Sequence, residues 1–412
     1  MQKLAISPHL IHPSAVEICH ILHDNGYQAF IVGGCVRDLL LGQKPKDWDI
    51  TSDAHPETVI QLFPKTIPTG LQHGTVTVCM GEGTENQFEV TTFRIEGEYS
   101  DGRRPDTVLF VANVEQDLAR RDLTINAIAY NPMTERIFDP FHGIDDLQTG
   151  LIKAVGNATA RFQEDGLRIM RVARFAARFN YVIDPDTFRG MTLSLETLQK
   201  VSKERIRDEL CKTLMASNPN IGLRILSSSG ALKIASPILD YYPSAGAFPW
   251  SGELETRVAC LYIHHPMIMV EQELNNLKFS GREIKKIMLL QELFDRYLHA
   301  KIRKTGSEPY KSIMSIIKNR SIDDCPSTLE QFIKLCEAMG QPIQEWLEIH
   351  QKEVVYARRE MEINGDDLLA IGMAPGPKIK KALDACYAEI LRNHKQNSKG
   401  KLIQFIRDRL LY

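Results

Sequence analysis

Asp47 and Asp49, in the stretch DWDIT, are spaced to act together. On a strand, residues i and i+2 project from one face. Carboxylates placed that way repel each other unless a cation or hydrogen-bond donors stand between them. Such oxygens suit a hard divalent cation, and Mg2+ typically takes one or two carboxylates together with phosphate oxygens of a substrate. An exposed edge strand with two solvated aspartates would carry the same triplet, so the spacing leaves both readings open. Upstream, YQAFIVGG reads as a strand that meets Gly33-Gly34, and CVRDLLLG as a helix ended by Gly42. Glycines there let backbone approach a ligand, and the N–H groups of a helix start attract anions. Arg37 falls in the first turn, within reach of a phosphate. Ordinary strand-to-helix turns also use a glycine pair.

A second constellation is RFQEDGLRIMRVARFAARF, read as one helix over residues 161–179. Asp165 and Arg168 share a face at i, i+3, and Glu164 and Arg168 at i, i+4. Spacing alone favours an intrahelical ion pair here.

The elements that must position these groups divide the chain in two. Residues 1 to about 140 alternate strand and helix signals, with DWDIT, GTVTVCM and QFEVTTFRI as strands and Asp53 as a helix cap. After about Gly143 the strand signals fade into amphipathic helix, broken at SNPNIG, SPILDYYPSAGAFPWSG, DDCPS and GMAPGPK. The pattern is an α+β unit with a mostly β core, followed by a long helical array. There is no internal repeat.

The 412 residues are too many for one ordinary core and suggest two to four units. No apolar run approaches the ~20 residues of a membrane span, and the N-terminus lacks a secretory h-region. Eight scattered cysteines without a CxxC pair argue against a zinc site or a disulfide framework and for a reduced cytoplasm. His264-His265 lacks a following His-Asp dyad, and His23-Asp24 stands alone, so neither reads as a metal site. The net charge of -2 does not announce a nucleic-acid binder. From Pro375 to Tyr412, however, nine basic residues face three acidic ones, a local charge of +6. Such a segment could follow a phosphate backbone, or form a solvated helical face.

The strand, glycine pair, short helix and DxD strand together resemble the catalytic hairpin of the polymerase β nucleotidyltransferase superfamily. More narrowly, GGCVRDLLLGQKPKDWDI resembles motif A of class II tRNA nucleotidyltransferases and bacterial poly(A) polymerases. RRDLTINAIAY (120–130) resembles motif B, FDPFHGIDDL motif C, EDGLR motif D and VSKERIRDEL motif E. The resemblance is strongest over residues 30–210, good at 363–384 and weak over 216–345. It implies a polymerase-β-like head with a mixed or antiparallel sheet over residues 1–140. A helical neck (141–215), a helical body (216–310) and a helical tRNA-binding tail (311–412) would follow.

What the resemblance implies for single residues is specific. Asp47 and Asp49 would hold Mg2+, and Glu89 on a neighbouring strand would be the further carboxylate of two-metal transfer. Gly33, Gly34, Arg37 and Arg121 would hold phosphates, Asp122 a ribose hydroxyl, and Asn126 the sugar or triphosphate. Asp165 and Arg168 would read the incoming base, with Glu164 orienting the arginine and Glu204, Arg205 and Glu209 bracing the neck. A loop containing Gly97, Gly102 and Pro105 would help switch the pocket between bases. Lys378, Lys380 and Lys381, after APGPK, would contact the tRNA backbone. The implied activity is addition of C, C and A to the tRNA 3′ end from CTP and ATP. An A-adding enzyme working beside a separate CC-adding one, and a poly(A) polymerase, share the same motifs. A phosphohydrolase, or an RNA-binding protein with an inactive head, would be a different class. No membrane and no obligatory protein partner is implied.

Overall fold

The computed structural model describes residues 6–96, 108–239, 250–303, 308–321, 324–344, 346–348 and 355–409. The chain forms two compact units, Met1–Ala245 and Gly246–Tyr412. It is an α+β protein whose strands lie in the first unit. Among the described residues no helix is long and apolar enough to cross a membrane.

The first unit is built on β1 (Ala29–Val32), β2 (Asp49–Ser52), β3 (Thr66–Gly70), β4 (Thr75–Cys79), β5 (Gln87–Thr92), β6 (Arg94–Glu96), β7 (Val108–Phe110), β8 (Ala129–Asn131) and β9 (Arg136–Phe138). Seven of them form one mixed sheet in the order β3-β4-β5-β2-β1-β8-β9. Only the β2–β5 pair is parallel. β1 is buried on both faces, as its unbroken AFIV run requires. β5 alternates instead, with Phe88 and Val90 inward and Gln87 and Glu89 outward. Helix Pro13–Asp24 packs on β1, and Phe30, Val32, Phe93, Leu118 and Ala129 share one core cluster.

QFEVTTFRI is not one strand. Phe93 is fully buried and divides it, and β6 pairs with β7 as a separate ribbon. The loop carrying Gly97, Gly102 and Pro105 lies outside the described residues. Strand structure also outlasts its sequence signal: Leu151–Ile152 pairs in parallel with Val182–Ile183. Otherwise the rest of this unit is helical, including Ala158–Glu164, the neck helix Leu167–Phe179 and helix Lys203–Leu214.

The second unit is all helix among the described residues, with helix Gly281–Arg303 the longest. Its C-terminal part closes its own core of Ile363, Leu368, Met373, Cys386, Ile390, Leu402 and Ile406. Asn364 caps helix Gly365–Ala370 in a reciprocal box with Asp367. Helix Pro377–Arg392 begins with Pro after Gly376, as GMAPGPK predicts.

Candidate active site

β2 begins at Asp49, and Asp47 stands in the bend just before it. Trp48 between them is buried, which leaves the two aspartates on the other side of the chain. Parallel pairing sets Asp49 in register with Glu89, whose N–H donates to the Trp48 carbonyl at 3.2 Å. Three carboxylates therefore border one spot where two strands start. Burial pushes the Asp49 carboxyl above its ordinary value; Arg121 pulls it down, Asp47 pushes it further up, and Arg171 and Arg37 oppose. Glu89 is raised by burial and then by the charges of Asp49 and Asp47. Among the described residues, no three His, Cys, Asp or Glu side chains are drawn together closely enough to enclose a metal ion. The donor set nonetheless has the chemistry of a cation site, because carboxylate oxygens suit a hard divalent ion and burial disfavours the ionised forms of Asp49 and Glu89.

The glycine turn sits against these carboxylates. Gly33 has φ +82°, a conformation that L side chains rarely adopt, and its N–H donates to the Ile128 carbonyl at 3.0 Å. A Cβ added there would lie 2.7 Å from Arg121 Nη1 and 3.6 Å from Asp49 Oδ2. The turn, the motif B arginine and the catalytic strand thus meet at one point, and only glycine fits. Arg37 is 3% exposed. Its Nε and Nη2 donate to Asp38 at 2.9 and 2.7 Å, Nη1 donates to Asn126, and its guanidinium lies over the Phe175 and Phe179 rings. It is set beneath the turn rather than open to solvent.

RRDLTINAIAY does not form a helix from its Asp and Thr. It makes a single 3-10 turn, Thr124–Asn126, and enters β8. Asp122 Oδ1 accepts from Leu123 N–H at 2.8 Å and Asn126 Nδ2 at 3.1 Å, while Oδ2 accepts from Arg171 Nε at 2.6 Å. Burial alone would raise this carboxyl, but Arg171 and the Asn126 bond hold it well below the carboxylate range. Oδ2 accepts from Arg171 alone among these donors and keeps a further acceptor site, but the residue is only 7% exposed. Motif C clamps the turn. A Cβ on Gly143 would lie 2.2 Å from the Thr124 carbonyl oxygen, and the Thr124 hydroxyl donates to Asp146 at 2.6 Å.

EDGLR differs from the expected continuous helix. Helix Ala158–Glu164 ends, Asp165 is extended at φ -140° and ψ 106°, and the neck helix starts at Leu167. Gly166, helical in its own backbone, packs against the Thr197 backbone, where a Cβ would lie 2.4 Å away. Arg168 is buried and donates to Glu164 Oε2 at 2.6 Å, to the Arg161 carbonyl at 3.1 Å and to the Arg120 carbonyl at 2.9 Å. Asp165 Oδ2 accepts from Arg205 Nη2 at 2.8 Å. The residues that sequence reading passes over are Arg171, Arg174 and the Arg205 contact to Asp165. A signal existed for the first two: Arg168, Arg171, Arg174 and Arg178 repeat at three- and four-residue spacing, a stripe along one helix face. Arg205 reaches Asp165 from a separate helix, which no local spacing reveals.

In the second unit Lys378, Lys380 and Lys381 are all exposed at the start of helix Pro377–Arg392.

The sheet and site define a polymerase-type nucleotidyltransferase head. Residues 29–153 match the family described as Poly A polymerase head domain. Residues 180–242 match the Probable RNA and SrmB- binding site of polymerase A, and residues 255–406 match tRNA nucleotidyltransferase domain 2. The chain belongs to the CCA-adding enzymes. It is 35% identical over 398 residues to the CCA-adding enzyme of Ligilactobacillus salivarius strain UCC118, covering 95% of both chains. It is 34% identical over 395 residues to that of Lactococcus lactis subsp. lactis strain IL1403, covering 94% of this chain and 95% of the relative. The crystal structure of the Bacillus stearothermophilus CCA-adding enzyme in complex with CTP aligns with TM-score 0.77 and 28% identity, covering 97% of this chain and 99% of that one. The Thermotoga maritima enzyme complexed with tRNA_CCA shares the fold at TM-score 0.68 and 21% identity, covering 99% of this chain and 100% of that one.

Proposed function

We propose that this chain completes the 3′ end of tRNA, adding C, C and A from CTP and ATP without a nucleic-acid template. The observation that carries this reading is the meeting of Gly33, Arg121 and the Asp49–Glu89 pair, in a chain of this family. Nucleotidyltransferases as a class use divalent metal ions, and we take the ion here to be Mg2+. Asp47 and Asp49 would hold it, with Glu89 beside them, and it would offset the negative charge that gathers between the triphosphate and the attacking hydroxyl.

The remaining roles belong to the chain itself. Backbone at Gly33-Gly34 approaches the phosphates, and Arg121 stands beside it as their counter-charge. Arg37 and Asp122 act from below, holding Asn126 and Arg171 in place. Asp165 and Arg168 select the base. Cytosine and adenine each offer an amino donor beside a ring-nitrogen acceptor, so a carboxylate and a guanidinium complement both. Guanine and uracil present the reverse pattern, and each unmet buried contact costs about 1–3 kcal/mol. Glu164 keeps the Arg168 fork oriented, and Arg205 does the same for Asp165. Lys378, Lys380 and Lys381 follow the tRNA backbone. The eight cysteines form no disulfide, which suits a reducing compartment, and we place the protein in the cytoplasm with its tRNA substrate.

The test supplies purified protein and Mg2+ with tRNA ending at the discriminator base, at C or at CC, and with CTP, ATP or both. Sequenced products should end in CCA from every start. A single A added only to CC-ended tRNA, or no addition at all, would overturn the reading.

A further inference from the structure

Asp117 lies outside every motif singled out from the sequence, yet it is the most enclosed carboxylate near the site. Its side chain is 0% exposed, in helix Val114–Ala119. Oδ1 accepts from Arg120 Nε at 2.9 Å and pairs with Nη2 at 2.8 Å. Oδ2 lies 3.3 Å from Arg121 Nη2 and 3.3 Å from the Thr51 hydroxyl, which is also 3.1 Å from the Thr91 carbonyl. A hydroxyl has one proton, so Thr51 shares it between the two acceptors. Burying a charge this completely is unfavourable unless its partners matter.

Those partners are the ones the site uses. Thr51 is two residues beyond Asp49 on β2 and so projects from the same face. The other end of the Arg121 fork, Nη1, comes up against Gly33. Arg121 Nε is buried without a hydrogen-bond partner, so the placement of this guanidinium depends on its two ends.

We infer that Asp117 is a positioning residue for nucleotidyl transfer: it fixes the Arg121 guanidinium between the glycine turn and Asp49, and ties the catalytic strand to the same point through Thr51. This rests on the proposed function, in which Arg121 faces the triphosphate. A triphosphate is common to CTP and ATP, so Asp117 governs rate and not base choice. A carboxylate that merely stapled its helix to the sheet would act independently of Arg121.

A double-mutant cycle separates the two. Asp117→Asn, Arg121→Ala and the double variant, all in the full chain, are assayed for C and A addition below their measured melting temperatures. Asp117→Asn should lower kcat about 10–100-fold, as loss of an outer-shell partner does, equally for both nucleotides and with UTP and GTP still rejected. In the Arg121→Ala background the same change should cost less than about threefold. Losses that multiply, or that differ between CTP and ATP, would overturn the inference. Should Asp117→Asn fail to fold, Thr51→Val replaces it in the cycle, with an expected loss of about 2–10-fold that vanishes without Arg121. The same cycle is run on the melting-temperature rise produced by CTP. A wild-type chain that binds CTP without transferring it defeats the proposed function while the cycle still decides on Asp117. A chain that binds no CTP defeats both.

Discussion

Asp47, Asp49 and Glu89 stand near one another, with Asp49 raised by burial against three arginines and Glu89 raised by burial and by the charges of Asp49 and Asp47, whereas Asp38, Asp117, Asp122, Glu164 and Asp165 each have an arginine within an ion pair. In the first group Asp49 and Glu89 are raised above their ordinary range, while Asp117 and Asp122 are held below theirs despite burial. The difference separates two tasks within one unit. Carboxylates whose ionised form is disfavoured in this way gain from an added cation. The paired ones are already satisfied, and their work is to fix guanidinium groups in space before any substrate arrives. A template-free selector of bases needs that rigidity, because the protein side chains take the place of a pairing strand.

Removing charge from the first group should have the largest effect. Asp49→Asn should lower transfer by about 10²–10³-fold or more, the scale on which a preorganised electrostatic contact acts. Steady-state incorporation of labelled CTP over a Mg2+ titration measures it. Added Mg2+ should also raise the melting temperature of the wild type and not of this variant. A variant with wild-type Mg2+ dependence would show that the carboxylates do not share a cation.

Next comes the seam between the groups. Gly33→Ala puts a Cβ 2.7 Å from Arg121 Nη1 at a φ of +82°. Arg121 must move, and a misplacement of ~1 Å costs about 10²-fold in rate. A crystal structure of the variant with Arg121 unmoved and activity intact would refute the close approach.

The two groups were not equally legible in the sequence. For the first group, the DxD spacing suggests Asp47 and Asp49 on local grounds, although Asp47 lies in the bend before β2, and Glu89 is expected only from the resemblance. The paired group mixes local pairs, such as Glu164 with Arg168, with long-range contacts. Arg205 meets Asp165, Arg171 meets Asp122, and Arg178 meets Asp38 across different elements. Each would read as a solvated helix charge in isolation. The break at Asp165 interrupts a segment whose periodicity is helical, beside a glycine that packs closely on the Thr197 backbone. Asp117 pairs locally with Arg120 and Arg121 at i, i+3 and i, i+4, a spacing present in EQDLARR, but its burial and its contact with Thr51 are tertiary.

Stability should respond to the second group in a defined direction. Because the Asp122 carboxyl is depressed in the folded state, it contributes stability above its unfolded pKa of ~3.9, and that stability is lost as pH falls below this value. Asp122→Asn should therefore destabilise the protein by about 1–3 kcal/mol near neutral pH. The gap to wild type should shrink below about pH 4. Urea unfolding at pH 3.5, 5 and 7 tests the sign. A constant gap across this range would mean that Arg171 does not stabilise the ionised carboxylate.

The smallest effect is expected in the second unit. Lys378, Lys380 and Lys381 are exposed, and a phosphate contact from such a lysine is worth little on its own. Their collective signature is salt dependence. Replacing all three with Ala should weaken tRNA binding several-fold at low salt, because fewer counterions are then released on association. The slope of log K against log salt should become shallower by roughly 0.7–0.9 for each phosphate that a lysine no longer neutralises. Transfer to saturating tRNA should keep its kcat, because none of these lysines belongs to either carboxylate group. A lower kcat at saturating tRNA with an unchanged salt slope would move them from grip to chemistry, and would mean that the division between the two carboxylate groups does not account for the whole reaction.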